Sequence, residues 1–191
     1  MGKEIKFKGD AFVELKAGVD TVANAVKITL GSGGRNVALG KGNGITHITK
    51  DGVTVAQSVE LDNPIQNMGA FMTKQVAQKT VDEAGDGTTT ATLLTQRLVA
   101  EGYKMISAGV NPMEMKKGMT MAVKDIVAYL KSIAVEVGDD IKMIEQVATV
   151  SANNDVSIGK LISEAITQVK KDGIITVEEG SGFDTYVEVV E

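Results

Sequence analysis

The chain has 191 residues, 43% hydrophobic and 24% charged, with a net charge of −5 and no cysteine. Such a length holds one or two domains with a real core, and the composition is that of a globular protein. An acidic balance without a long basic run speaks against nucleic acid or anionic membrane as the main partner, and the lack of cysteine excludes disulfides and thiolate chemistry.

Aromatic residues make up only 4% and tryptophan is absent, so Val, Ile, Leu, Ala and Met must build the core. The opening MGKEIKFKGD lacks the apolar stretch of a secretory leader. Lys6 departs from the myristoylation pattern. No apolar run approaches the length of a membrane span. The expectation is a cytoplasmic protein with no membrane or nucleic-acid partner.

In chain order, Glu4–Lys8 reads as a short strand. Asp10 is placed to cap a helix to about Leu30, with Phe12, Leu15, Val19, Val22, Ala23 and Val26 on one face. Gly31-Ser32-Gly33-Gly34 ends it. Residues 45–55, ITHITKDGVTV, alternate apolar and polar around Asp51-Gly52, so the pattern alone predicts a hairpin turning there. Asn67–Glu83 repeats Met68, Phe71, Met72 and Val76 at helical spacing, and the threonine-rich stretch opens another helix to about Ser107. Asn111-Pro112-Met113-Glu114 is a strong helix start, and that helix is expected to reach about Ile133. Helical patterns return at Ile141–Val150 and Val156–Lys170. Ile174–Glu178 and Tyr186–Val190 read as strands joined through Gly180-Ser181-Gly182. The change of composition at Val135–Asp140 is the candidate boundary. There is no internal repeat and no low-complexity tract.

The most informative stretch is AGDGTTTATLLT, residues 84–95. Asp and Thr cap helices, and Ala91, Leu93, Leu94, Leu98 and Val99 follow at helical spacing, so a capped helix start accounts for the local pattern. One cap needs one oxygen, however, and Asp86, Thr88, Thr89 and Thr90 supply four side chains beside two glycines. A helix N-terminus attracts anions, hydroxyls can hold phosphate oxygens, and a carboxylate fits there if Mg2+ lies between it and the phosphate. The pattern suits Mg-nucleotide, although no GxxxxGK[ST] motif occurs.

Other motifs read more plainly alone. TLGSGGRN, residues 29–36, could offer backbone N–H groups to a phosphate, but it follows a helix and a C-cap at Gly31 suffices. Lys50 and Asp51 could approach a phosphate and orient a water, or serve as turn residues. His47 is the only histidine, cannot form a zinc cluster and is expected on an exposed strand. Met113, Met115, Met119 and Met121 suggest core filling first and a soft binding surface second. Ser151–Asp155 reads as capping and a polar turn.

Taken in order, TLGSGGRNV, ITKDGVTVA, ELDNPIQNMGAFM, AGDGTTTATLL, AGVNPMEMKKG, VATVSANND, DGIITVEEG and VEVVE are more specific than any single motif. Over residues 4–191 the chain resembles the N-terminal part of a group I chaperonin subunit, the GroEL type. The resemblance implies a multidomain protein. Residues 1–134 would be the first segment of the equatorial ATPase domain, mainly α with a small β hairpin. Residues 135–191 would be the first, α+β segment of the intermediate hinge domain. The apical domain and the C-terminal segments would lie outside the chain, making it a fragment of a subunit. Asp51 would fall just before a helix, with strands confined to about Val37–Thr49.

The same resemblance assigns roles. Asp86 would bind Mg2+, and Gly87, Thr88, Thr89 and Thr90 would hold phosphates. Thr29, Leu30, Gly31 and Ser32 would contact the nucleotide. Lys50 would lie near phosphate and, with Thr29 and Thr89, near a monovalent cation such as K+. Asp51 would act in hydrolysis. The expected function is ATP-dependent folding of unfolded polypeptide by a ring of identical subunits with a co-chaperonin, both engaged through the apical domain. The alternative is a structural or assembly piece that docks with chaperonin rings without hydrolysing ATP. Ser32 and Gly33 replace the Pro and Lys of the family's usual LGPKGRNV, leaving this loop more flexible and one positive charge poorer. LGKGNGIT is richer in glycine than the family's inter-subunit stem-loop, and Val135-Glu136-Val137 stands where a hinge proline is common.

Overall fold

Most helix starts follow from local chemistry. Asn63 precedes Pro64, and its Oδ1 accepts the N–H groups of Ile65 at 2.9 Å and Gln66 at 3.1 Å. Asn111 repeats the device before Pro112, accepting Met113 N–H at 2.8 Å. Asp140 and Asp155 cap the two helices that follow them. Each cap satisfies N–H groups that would otherwise lack a partner. The computed structural model describes residues 4–40, 44–169, 174–178 and 185–188.

The elements are α1 (Lys8–Lys27), β1 (Val37–Gly40), β2 (Thr46–Thr49), α2 (Gly52–Ser58), α3 (Pro64–Ala84), α4 (Thr88–Ser107), α5 (Pro112–Ile133), α6 (Ile141–Ser151) and α7 (Val156–Val169). The expected fold class is thus observed: helices dominate, beside one small sheet of two antiparallel strands pairing Val37 with Thr49 and Gly40 with Thr46. No helix among the described residues is long and apolar enough to cross a membrane.

Three local expectations are corrected. α1 begins at Lys8 with extended Phe7 at its cap, so Asp10 lies in the first turn and Glu4–Lys8 is not a strand. A strand needs a partner, and residues 4–7 have none among the described residues; Lys6 instead reaches Glu14 at 3.1 Å. The hairpin at Asp51-Gly52 is also absent. The alternation stops at Thr49, and α2 starts at Gly52 under an Asp51 cap, as the chaperonin resemblance implied. Burial of Gly52, Val55 and Ala56 at helical spacing overrides the two-residue period.

The chain divides into two compact units, Met1–Met121 and Ala122–Glu191. In the first, α1, α3 and α4 pack pairwise and α2 packs against α1 and α3. Val22, Val26, Val55, Ala56, Ala70 and Ala77 form its buried centre. Small residues let the helices approach closely. A Cβ on Gly18 would lie 1.8 Å from the Gln66 carbonyl oxygen, and one on Gly69 would lie 2.0 Å from that of Leu15. At another level Phe12 stacks on Tyr103, with centroids 3.7 Å apart, joining α1 to α4.

In the second unit α6 packs on α7, with Ala148, Gly159, Ser163 and Ala165 buried. Ile174–Glu178 carries no strand pairing, and neither do residues 186–188 of the expected Tyr186–Val190 strand. The glycine link at residues 180–182 lies outside the described residues. An isolated two-stranded hairpin is marginal in water, and Ile174 and Val177 are each 88% exposed, with no sheet beside them among the described residues. The preferred reading of the methionines fails for three of the four: Met113, Met119 and Met121 are exposed and α5 buries no residue, whereas Met115 is half-buried, its Cε 3.4 Å from where a Cβ on Gly102 of α4 would stand.

Candidate functional site

The stretch Asp86–Thr90 forms the start of α4, but not as a conventionally capped helix. Its cap residue is Gly87, in the left-handed region at φ 86°, and no side chain accepts a hydrogen bond there. Asp86 does not cap; its Oδ1 takes the adjacent Gly87 N–H at 2.6 Å. The first intrahelical bond runs from Ala91 N–H to the Gly87 carbonyl at 2.9 Å. Among the described residues the N–H groups of Thr88, Thr89 and Thr90 therefore have no side-chain partner at the positive end of a 20-residue helix. Thr88 is buried, Thr89 half-buried and Thr90 exposed, while the Asp86 carboxylate is exposed.

The loop after α1 closes on itself beside this helix start. Arg35 N–H donates to the Ile28 carbonyl at 2.8 Å, and Gly34 N–H to that of Gly31 at 3.0 Å. Gly31 is left-handed at φ 69°, but it is not the C-cap of α1, which ends at Lys27 with Ile28 as its cap. Buried Thr29 donates its hydroxyl to the Val26 carbonyl at 2.9 Å. That commits its one hydrogen, so the 3.2 Å contact between the Thr29 and Thr89 hydroxyls has Thr89 as donor. Leu30, Gly31 and Ser32 are exposed on the loop and make no side-chain bond among the described residues.

Gly52 completes the junction. A Cβ there would stand 2.3 Å from Thr89 Oγ1 and 3.2 Å from Thr88 Oγ1, so only glycine lets the start of α2 lie against the start of α4. Asp51, immediately before it, accepts the Thr54 N–H at 2.8 Å and the Thr54 hydroxyl at 2.5 Å, both on Oδ2. Its own N–H donates to Thr49 Oγ1 at 3.1 Å. Lys50 is half-buried, and its ammonium pairs with no carboxylate among the described residues.

Contacts thus gather Thr29, Gly52, Thr88 and Thr89 into one junction, with Asp51 and Asp86 each one or two positions away along the chain. No cluster of three or more His, Asp or Glu side chains that could hold a metal occurs among the described residues. The oxygen set instead fits a hard cation held by a carboxylate and completed by phosphate oxygens. Uncapped N–H groups, hydroxyls and an unpaired lysine fit the phosphates themselves. Gly52 and Thr54 were not singled out from the sequence. The signal for Thr54 was its spacing, three residues after a potential aspartate cap; none marked Gly52, because its contact partners are far away in the chain.

Residues 22–189 match the pattern of the TCP-1/cpn60 chaperonin family. Among solved structures, the chain resembles a group III chaperonin crystallised in the open state, with 27% identity and a TM-score of 0.70. The likeness covers 88% of this chain and 33% of that one, so the chain spans about a third of that relative's length. With the family pattern running through nearly all of its elements and the same backbone arrangement in a chaperonin, this chain belongs to the TCP-1/cpn60 chaperonin family.

Proposed function

We propose that the chain is the N-terminal part of an ATP-driven chaperonin subunit of the group I type, carrying part of its Mg-ATP site. The observation that carries this reading is the α4 N-terminus, which has no side-chain cap, begins just after an exposed aspartate and is closed in by Thr29 and Gly52. Family membership supports it, and the order of the sequence motifs supports the group I type.

In this reading the N–H groups of Thr88, Thr89 and Thr90 and the Lys50 ammonium hold phosphate oxygens. Asp86 holds Mg2+. The Thr29 and Thr89 oxygens, with the Lys50 backbone carbonyl, would hold a monovalent cation such as K+. Bound Mg2+ would neutralise charge developing on the transferred phosphoryl group. Asp51, with Oδ2 engaged by Thr54, keeps Oδ1 to orient the attacking water. In a full subunit, turnover would time the release of unfolded polypeptide from a ring of identical subunits closed by a co-chaperonin in the cytoplasm.

A second reading is an assembly piece that docks with chaperonin rings and does not hydrolyse ATP. Exposed apolar side chains on α5 favour it: Met113 and Met121 are both at least 64% exposed. Calorimetric titration with Mg-ATP separates the two. The nucleotide-site reading expects binding that Asp86→Ala abolishes and that withdrawal of Mg2+ weakens. A chain folded by circular dichroism that gives no heat with Mg-ATP, yet co-migrates with rings on gel filtration, belongs to the second reading.

A further inference from the structure

Thr54 makes a contact that helix formation does not require. Threonines deeper in helices return their hydroxyls to the carbonyl four residues back, as Thr73 does to Gly69 and Thr92 to Thr88, whereas a first-turn hydroxyl can turn to its cap, as that of Ser157 does to Asp155 at 2.5 Å. Thr54 likewise donates to the Asp51 carboxylate at 2.5 Å, while its N–H already caps the same oxygen at 2.8 Å. The N–H bond alone satisfies the helix terminus. The second bond adds a constraint on the carboxylate. The terminal torsion of aspartate is broad and poorly defined by sterics, and a single donor leaves the carboxylate plane free to turn about it. Two donors from one half-buried residue, converging on Oδ2, fix the plane and leave Oδ1 with no partner among the described residues. The backbone is held from the other side, where Thr49 Oγ1 accepts the Asp51 N–H at 3.1 Å.

We infer that Thr54 is a positioning residue for ATP hydrolysis: its hydroxyl holds Asp51 Oδ2 so that Oδ1 alone faces the attacking water. This rests on the reading of Asp51 as the water-orienting group. Thr54 touches neither nucleotide nor water in this account and acts only through Asp51. Valine at position 54 keeps the N–H cap, the branching at Cβ and nearly the same volume, and deletes only the hydroxyl. Serine keeps the hydroxyl and drops a methyl group.

The test is steady-state ATP hydrolysis by the assembled chaperonin containing this segment, comparing wild type, Thr54→Val, Thr54→Ser and Asp51→Asn, with thermal melting of each. Thr54→Val is expected to lower kcat about tenfold, the effect of a misaligned catalytic group, with KM for ATP unchanged. Thr54→Ser is expected to stay within about twofold of wild type, with its hydroxyl bond kept. If Thr54→Val fails to assemble, Thr54→Ala against Thr54→Ser makes the same comparison. Wild-type kcat in the hydroxyl-free variant, or an equal loss in Thr54→Ser, overturns the inference. Wild-type turnover in Asp51→Asn also overturns it by removing the role of Asp51, while Mg-ATP binding and its loss in Asp86→Ala stand or fall separately by calorimetry.

Discussion

The hydroxyls of Thr29 and Thr89, sixty positions apart in the chain, meet at 3.2 Å and tie the loop after α1 to the first turn of α4. Gly52 lies against the same Thr89 oxygen, leaving room for hydrogen but not for a methyl group. Three segments distant in sequence thus share one side chain.

Gly52→Ala is therefore expected to force Thr89 out of its rotamer and break the bond to Thr29. Overpacking of this kind costs about 1–3 kcal/mol. In a Thr89→Ala background the obstructing oxygen is gone, and the same glycine substitution should cost at least about 1 kcal/mol less, a coupling expected of residues in contact. Urea unfolding of the two single variants and the double variant measures it. Strict additivity would show that the clash is relieved elsewhere.

The crossing of α1 and α3 offers no such relief. The groups facing Gly18 and Gly69 are the backbone carbonyls of Gln66 and Leu15, which no rotamer change can move. Gly18→Ala and Gly69→Ala should each destabilise the first unit by about 2–3 kcal/mol, the upper range for overpacked sites. For a chain of this size that lowers the melting temperature by several degrees, at about 2–4 °C per kcal/mol. A melting temperature unchanged in either variant would contradict the close approach.

Glu14 gives a pH-dependent contribution. Its carboxylate accepts Gln66 Nε2 at 2.6 Å, Lys6 Nζ at 3.1 Å and Asn63 Nδ2 at 3.1 Å. The Gln66 amide first, then the Lys6 ammonium, hold its carboxyl below the usual glutamate range, against a smaller opposing effect of burial. Because folding favours the charged form, this contribution is complete above the unfolded-state value and is lost as pH falls through the lowered folded-state value. Lys6, raised chiefly by its bond to Glu14, loses its share only at the alkaline end. The stability difference between wild type and Glu14→Gln should hold steady from about pH 5 up to the alkaline range where Lys6 loses its proton, and shrink in more acidic solution. Denaturation midpoints measured across that range check it. A difference that grows towards acid would reverse the sign.

The second unit has a close contact of its own. A Cβ on Gly159 would lie 2.0 Å from Thr149 Oγ1 and 2.9 Å from Thr149 N. Gly159→Ala should loosen the α6–α7 pair by about 1–3 kcal/mol, and leave Mg-ATP heats unchanged. Amide hydrogen exchange should show faster exchange in Ile141–Ser151 and Val156–Val169 only. Loss of protection in α3 or α4 as well would mean that the effect is not local.

Much of the secondary structure was legible because its determinants are local. Asn111-Pro112 starts α5 where the sequence indicates, and the threonine run starts α4 at Thr88. Asn63-Pro64 carries the same signal as Asn111-Pro112, and it sets the start of α3 earlier than the apolar spacing of Met68, Phe71 and Met72 suggests. The site was legible in part. Asp86 and the threonines stand out by composition, whereas Thr54 shows its role only once Asp51 is known to cap a helix.

By itself the sequence determined the predominance of helices, the positions of most caps and, through the order of its motifs, the resemblance to the chaperonins. These depend on side chains within a few residues of one another or on the pattern as a whole. The local pattern at Asp51-Gly52 reads as a hairpin and only the resemblance pointed to a helix; the physical reason for the helix is tertiary, since Val55 and Ala56 are buried and Gly52 lies against Thr88 and Thr89 more than thirty positions away. Tertiary structure also decided that Met113, Met119 and Met121 are exposed while Met115 is half-buried beside Gly102 of α4. Their spacing along the helix is visible in the sequence, but only the position of neighbouring helices determines which of them is covered.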